Sequence, residues 1–201
     1  MWPWEHLAVG YLLYSASARA RGRVPSENAA LAAALGTQFP DLVDKPLSWT
    51  LDVLPAGVLS HSVFVALPLV GVVLLVARRV GRPEPAIAFG IGYLAHLPGD
   101  VVPSLVFESR PRYWFLLWPA VPRPGVDVSD PIVGPGAGAG LLTHAAYYFE
   151  GYVGALLGPR GALYVAVELA VLLGAVALWL RDGRPGVATL AALVRSRRET
   201  T

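Results

Sequence analysis

Cysteine is absent from this 201-residue chain, which excludes disulfides, thiolate metal ligands and cysteine nucleophiles. Lysine is almost absent too. Lys45 is the only one among 16 basic residues, the rest being arginines. Charge as a whole is scarce at 15%, well below the roughly 25% of soluble domains, and mean hydropathy is +0.53. No basic stripe argues for nucleic acid, since the arginines sit at loop ends and in a C-terminal group of Arg195, Arg197 and Arg198. The start, Met-Trp-Pro-Trp-Glu-His, lacks the positive n-region of a cleaved signal peptide, so the first helix is expected to stay in the mature protein.

What the chain does have is long apolar blocks. Val58–Ala77 runs 20 residues without a formal charge, and Gly161–Leu180 runs 20 with only Glu168. Runs of this length read as transmembrane helices. Further apolar stretches are Trp4–Ala18, Asn28–Val43 (expected to halt near Pro40), Ala86–Phe107 and Leu141–Leu157. Tyr113–Val121 is aromatic and short, so it reads as an interfacial or re-entrant piece. The expected fold is all-α: one integral-membrane domain over residues 1–201, a polytopic bundle of five to six spans, multi-pass in the cell membrane. Within it, residues 1–107 carry the motifs and 121–140 form a Pro/Gly-rich connector. Residues 141–181 supply the C-terminal helices, and 182–201 a basic tail. Arginine bias puts the ends of the first and third spans in the cytoplasm and the Asp44–Gly57 loop outside. The same bias conflicts with itself at the C-terminus, so the side of the tail stays open.

Against this background the histidines and aspartates stand out. His6, His61, His96 and His144 lie within or at the ends of apolar segments, as do Asp41, Asp44, Asp100, Glu150 and Glu168. Ionisable groups in a membrane persist when paired, hydrated or bound to a cation. With alternate crossings, His6, Asp41, Asp44, His61, His96 and Asp100 fall at one depth near one face. His96 and Asp100 are i, i+4, and Asp41 and Asp44 are i, i+3, so each pair shares a helix face. Imidazoles with carboxylates and no thiolate suit Zn²⁺, Mn²⁺ or Fe²⁺, as one or two ions. The expected metal ligands are His6, Asp41, His61, His96 and Asp100, with Asp44 as the catalytic carboxylate, a further ligand or general base. Each piece also has a plainer reading. His96 and Asp100 could serve an interhelical hydrogen bond, Asp44 could cap a helix or pair with Lys45, and His6 could anchor at the interface. His144 is placed to join the site or orient substrate, whereas Glu150 and Glu168 are expected to pair with arginines or with each other.

These motifs resemble the membrane-bound metal-dependent hydrolase family, also described as LexA-binding, inner-membrane-associated hydrolases. The resemblance rests on Glu5-His6-Leu7, Phe39-Pro40-Asp41-Leu42-Val43-Asp44, Leu59-Ser60-His61-Ser62 and Leu94-Ala95-His96-Leu97-Pro98-Gly99-Asp100. It covers about residues 1–107, four motifs in order on alternating helices, and the wording GTQFPDLVDKP resembles an archaeal branch. The chain departs from the family at Leu54-Pro55-Ala56-Gly57, where many members carry a basic residue or histidine. The resemblance implies a metal-dependent hydrolase, with zinc as the expected metal and a metal-bound water of lowered pKa as nucleophile. A site just inside one leaflet would be reached by lipid-like esters or phosphoesters. Two rival classes use the same residues: a divalent-cation or proton-coupled transporter, and a structural membrane protein locked by its polar cluster. The apolar inner halves at Leu12–Tyr14, Leu69–Val76 and Ile87–Gly92 favour a one-sided site over a through pathway. Oligomeric state is not legible.

Overall fold

The computed structural model describes residues 1–51, 53–54, 57–108, 111–122, 135 and 139–199. Among these the regular structure is helical, with no strand. The α-helices are α1 (Pro3–Ala20), α2 (Glu27–Lys45), α3 (Val63–Arg79), α4 (Pro83–Gly99), α5 (Leu141–Leu156), α6 (Gly161–Arg181) and α7 (Val187–Glu199). Short helical turns occupy Pro46–Thr50, Ser104–Glu108 and Trp114–Leu117. Most of the 121–140 connector lies outside the described residues.

Several expected boundaries move, each for a local reason. Pro40 does not halt α2, which continues to Lys45 with Pro40 buried inside it. A helical proline removes one backbone bond and crowds the preceding turn, and here its burial accompanies the continuation. α3 begins at Val63 rather than Val58. The residues before it are held out of the helix: the Asp44 carboxylate accepts the Ser60 N–H, and Ser62 Oγ accepts the Phe64 N–H as an N-cap would. α4 runs through Pro98 and stops at Gly99, so Asp100 is the first residue beyond it and the Ala86–Phe107 stretch is not one helix. α5 and α6 match their apolar blocks to within a residue, and the basic tail forms α7.

By length and composition one helix among the described residues, Gly161–Arg181, suffices to cross a membrane, with a mean hydropathy of 2.3. Its side chains are largely uncovered, Leu163, Leu173 and Leu180 among them, and α3 exposes Phe64, Leu67, Val72, Leu75 and Val76. Apolar exposure on this scale is what lipid-facing helices show and soluble surfaces avoid.

The chain forms two compact units. One comprises Met1, Phe39–Pro68 and Leu97–Leu169. In it α5 packs on the Pro46–Thr50 turn, Phe107 meets Tyr164, and the Arg160 guanidinium donates to the Val106 carbonyl.

The other unit comprises Trp2–Gln38, Leu69–His96 and Ala170–Thr201. Its core is small-residue packing around one aromatic: Tyr14, Ala18, Ala29, Ala30, Ala33 and Ala88. Small residues let helix backbones approach closely, the usual way apolar helices associate where lipid is the solvent. At Gly36 the approach is so close that an added Cβ would lie 2.2 Å from the Phe89 carbonyl oxygen, and at Gly92 2.3 Å from that of Ala33. The polar lock of this unit is Asp182. Its buried carboxylate accepts from Ser15 Oγ at 2.7 Å and Tyr11 Oη at 2.8 Å, and it pairs with Arg19. Nearby, Glu27 Oε2 accepts the Gly186 and Thr189 N–H groups at the start of α7, favourable charge for a helix N-terminus.

Two outcomes follow from these contacts. Gly36→Ala should destabilise the protein by about 1–3 kcal/mol through overpacking, read as a lower midpoint of thermal unfolding in detergent. Burial pushes the Asp182 carboxyl up, but Ser15, Tyr11 and Arg19 together outweigh it and hold the group below the ordinary carboxylate range. A depressed folded-state pKa stabilises above the unfolded value of about 3.9 and is lost as pH falls through the folded value. Asp182→Asn should therefore lower stability at neutral pH and flatten its decline below about pH 4, as denaturation at a series of pH values would show.

Candidate metal centre

The site residues come from helix ends. Thr37 and Asp41 lie one turn apart on α2, with Asp44 and Lys45 closing that helix. His61 sits in the turn before α3, and His96 and Asp100 stand one turn apart at the end of α4. A helix end can carry charge more readily than a helix middle, because free backbone groups and neighbouring turns supply partners.

His61 is 4% exposed, yet three carboxylates surround it. Its Nδ1 lies 2.8 Å from Asp44 Oδ2, its Nε2 3.2 Å from Asp100 Oδ2 and 3.7 Å from Asp41 Oδ1. Asp44 is itself buried, and both its oxygens also accept the Ser60 N–H, at 2.9 and 3.1 Å. Both ring nitrogens face carboxylates, which can only accept; the shorter contact, to Asp44, assigns the proton of a neutral ring to Nδ1 and the lone pair to Nε2. That lone pair then faces the oxygens of Asp41 and Asp100. Three acceptors converging in this way call for a cation or a proton between them.

His96 repeats the pattern with a different tether. Its Nδ1 lies 2.6 Å from the Thr37 carbonyl, an obligate acceptor, so Nδ1 carries the proton and Nε2 is the nitrogen that would ligate. Anchoring the distal ring nitrogen to a carboxylate or carbonyl is how ligating histidines are oriented. Asp41, His61, His96 and Asp100 each offer a ligand atom, and these atoms all lie within 4.8 Å of one another. Two imidazoles and two carboxylates without a thiolate form a donor set suited to a divalent first-row cation, so the residues present fit a metal.

The other expected site residues take other places. His6 is buried on α1 and its ring stacks on that of His96, with centroids 3.8 Å apart and 14° between planes. It is outside the four-residue group. Asp44 faces Ser60 and the far side of the His61 ring, the position of an orienting group rather than of a spare carboxylate in the group. Lys45 pairs with Asp41, not with Asp44, and the Met1 amino group lies 2.8 Å from Asp100 Oδ1. His144 is buried against Trp49 with its Nδ1 2.9 Å from the Gly140 carbonyl. Glu150 is exposed on α5, and Glu168 accepts from Tyr152 Oη at 2.7 Å. Sequence reasoning missed Thr37, which acts through its main-chain carbonyl. Ser60 was visible only as part of the Ser-His-Ser motif.

The family of YdjM inner membrane proteins matches residues 1–184. The chain belongs to this family. Membership supports the membrane location and takes in all four motifs, together with α5 and α6. No curated protein matches the chain, and no solved structure does.

The Asp44–His61 contact in this YdjM-family chain yields a specific expectation. Loss of such an orienting carboxylate weakens metal binding about 10–100-fold. Asp44→Asn should therefore retain the binding stoichiometry of zinc but release it to a competing chelator at correspondingly lower chelator concentration.

Proposed function

We propose that this chain is a multi-pass membrane hydrolase of five to six spans. In this reading Asp41, His61, His96 and Asp100 hold one or two divalent metal ions, zinc foremost, and the substrate is a lipid-like ester or phosphoester. The observation that carries the reading is the double tether: His61 and His96 each have Nδ1 engaged by an acceptor, which presents Nε2 as the ligating nitrogen. Ligand atoms bound to one ion at about 2.0–2.2 Å lie within about 4.4 Å of each other. The separations of His61 Nε2 from Asp100 and Asp41, 3.2 and 3.7 Å, fall inside that limit, and the four ligand atoms lie within 4.8 Å of one another.

The helix lengths support several crossings. α1 to α5 run from 16 to 19 residues. At about 1.5 Å per residue they reach roughly 24–28 Å, close to the hydrocarbon thickness of about 30 Å. Access from the bilayer is the argument for a lipid-like substrate.

Within the site the chain's own residues divide the work. Asp44 fixes the tautomer and plane of His61, the Thr37 carbonyl does the same for His96, and His6 supports the His96 ring by stacking. Phe115 stands edge-on to His61 with centroids 6.0 Å apart, an apolar wall that limits water around the ring. A divalent cation bound there would supply Lewis acidity, polarising a carbonyl or phosphoryl oxygen and acidifying water.

Metal analysis of the detergent-purified protein tests this. Stoichiometric zinc, manganese or iron is expected in the wild type and at least a tenfold loss in His61→Ala and His96→Ala. A metal-free wild type that also fails to take up added zinc would sink the reading. With metal bound, hydrolysis of a panel of lipid esters and phosphoesters is expected, and metal uptake without any turnover would favour transport.

A further inference from the structure

The compact unit that holds Asp41, His61 and Asp100 also contains a buried donor that none of the roles above uses. Trp49 lies in the short turn after α2 and is 8% exposed. Its indole Nε1 is buried and finds no hydrogen-bond acceptor among the described residues. An indole nitrogen can only donate, and a buried donor left without an acceptor is unfavourable and uncommon in folded proteins. The ring is held firmly: His144 stacks on it at 5.1 Å between centroids with 8° between planes, and Tyr148 at 5.4 Å with 18°. His144 is in turn fixed by its Nδ1–H to the Gly140 carbonyl. Such clamping on a surface turn keeps the orientation of the N–H constant.

A cation stands next to this donor. Lys45 Nζ lies 5.4 Å from the Trp49 ring centroid while its ammonium pairs with Asp41, one of the four candidate ligands. Lys45 is the only lysine of the chain. An ammonium has three rotatable donors on a flexible stem, so it can hold Asp41 and still offer an N–H to a second oxygen. The ammonium thus lies over the indole ring and on Asp41, so the two donors are neighbours beside one candidate ligand. A single carbonyl oxygen would meet one of them. A group with several anionic oxygens can meet both.

We propose that Lys45 and Trp49 form a phosphate-binding subsite adjoining the metal group, which selects a phosphoester over a neutral ester as substrate. The inference rests on the hydrolase reading and narrows its substrate class. Lys45 supplies charge, Trp49 a directed hydrogen bond, and the stacked rings of His144 and Tyr148 hold the indole in place. This gives His144 a positioning role outside the metal group.

Inorganic phosphate is the probe, titrated calorimetrically into the full-length protein in detergent, with and without added zinc. Trp49→Phe keeps a ring in the stack and removes the N–H, so phosphate affinity should fall about tenfold, the scale of one hydrogen bond to a charged oxygen, with zinc content unchanged. Lys45→Gln should weaken phosphate at least as much and reduce the salt dependence of binding. His144→Phe preserves stacking and should lower affinity less than Trp49→Phe. Phosphate binding equal to wild type in both Trp49→Phe and Lys45→Gln would overturn the subsite, as would a wild type that binds zinc but no phosphate. Failure of the metal reading is separate: it appears as absent zinc, whatever the phosphate titration shows.

Discussion

A buried carboxylate has to be met by donors, and Asp44 is met by two groups that are neighbours in sequence, the Ser60 N–H and His61 Nδ1. Everything distinctive about the candidate centre depends on that contact. It keeps residues 60–62 out of α3, so His61 stands in a turn before the helix instead of pointing from its side. It also sets which imidazole nitrogen carries the proton, and thereby turns an acceptor lone pair toward Asp41 and Asp100. Asp41 and Asp100 meet cations of the chain itself, the Lys45 ammonium and the Met1 amino group, and with His61 and His96 they form a group that could hold a metal ion.

The same economy recurs elsewhere in the chain. Asp182 is buried against two hydroxyls and Arg19, and Glu27 is set on the N–H groups at the start of α7. Charged residues are few, and those that are covered have partners. Where polar partners are absent, close backbone approach takes over, with Gly36 and Gly92 allowing contacts that a methyl group would forbid. Helices of modest length and small side chains can associate in this way without a large aromatic core.

Periodicity and composition made much of the architecture legible. α5 and α6 lie where their apolar blocks lie, because an uninterrupted apolar run has little alternative to a helix. The start of α3 and the passage of α2 through Pro40 were not legible. The start of α3 depends on a partner distant in sequence, sixteen residues separating Asp44 from Ser60, and Pro40 is buried within α2 by packing that the sequence does not display. Among the site residues, His6, Asp41, Asp44, His61, His96 and Asp100 could be grouped by depth and spacing alone. The orientation of Asp44 and the stacking of His6 on His96 could not, since spacing along a helix tells which face a residue shares and not which atom it touches. His144 shows the same limit: its place in an apolar segment drew attention to it, but only packing reveals Trp49 against its ring.

What the sequence alone determined is therefore the class of the protein and the inventory of its chemistry. Scarce charge and long apolar runs imply a helical membrane protein, and the absence of cysteine confines any metal ligands to imidazoles and carboxylates. Tertiary structure decided the division of roles among those residues. A hydrogen bond of 2.8 Å sets the Asp44 carboxylate on the His61 ring, and one of 2.6 Å sets the Thr37 carbonyl on His96. The physical reason is that ligand chemistry resides in residue type, whereas tautomer and direction reside in contacts that only folding brings together. The missing cysteines and lysines narrowed the possible partners of each charge, and the fold chose among them.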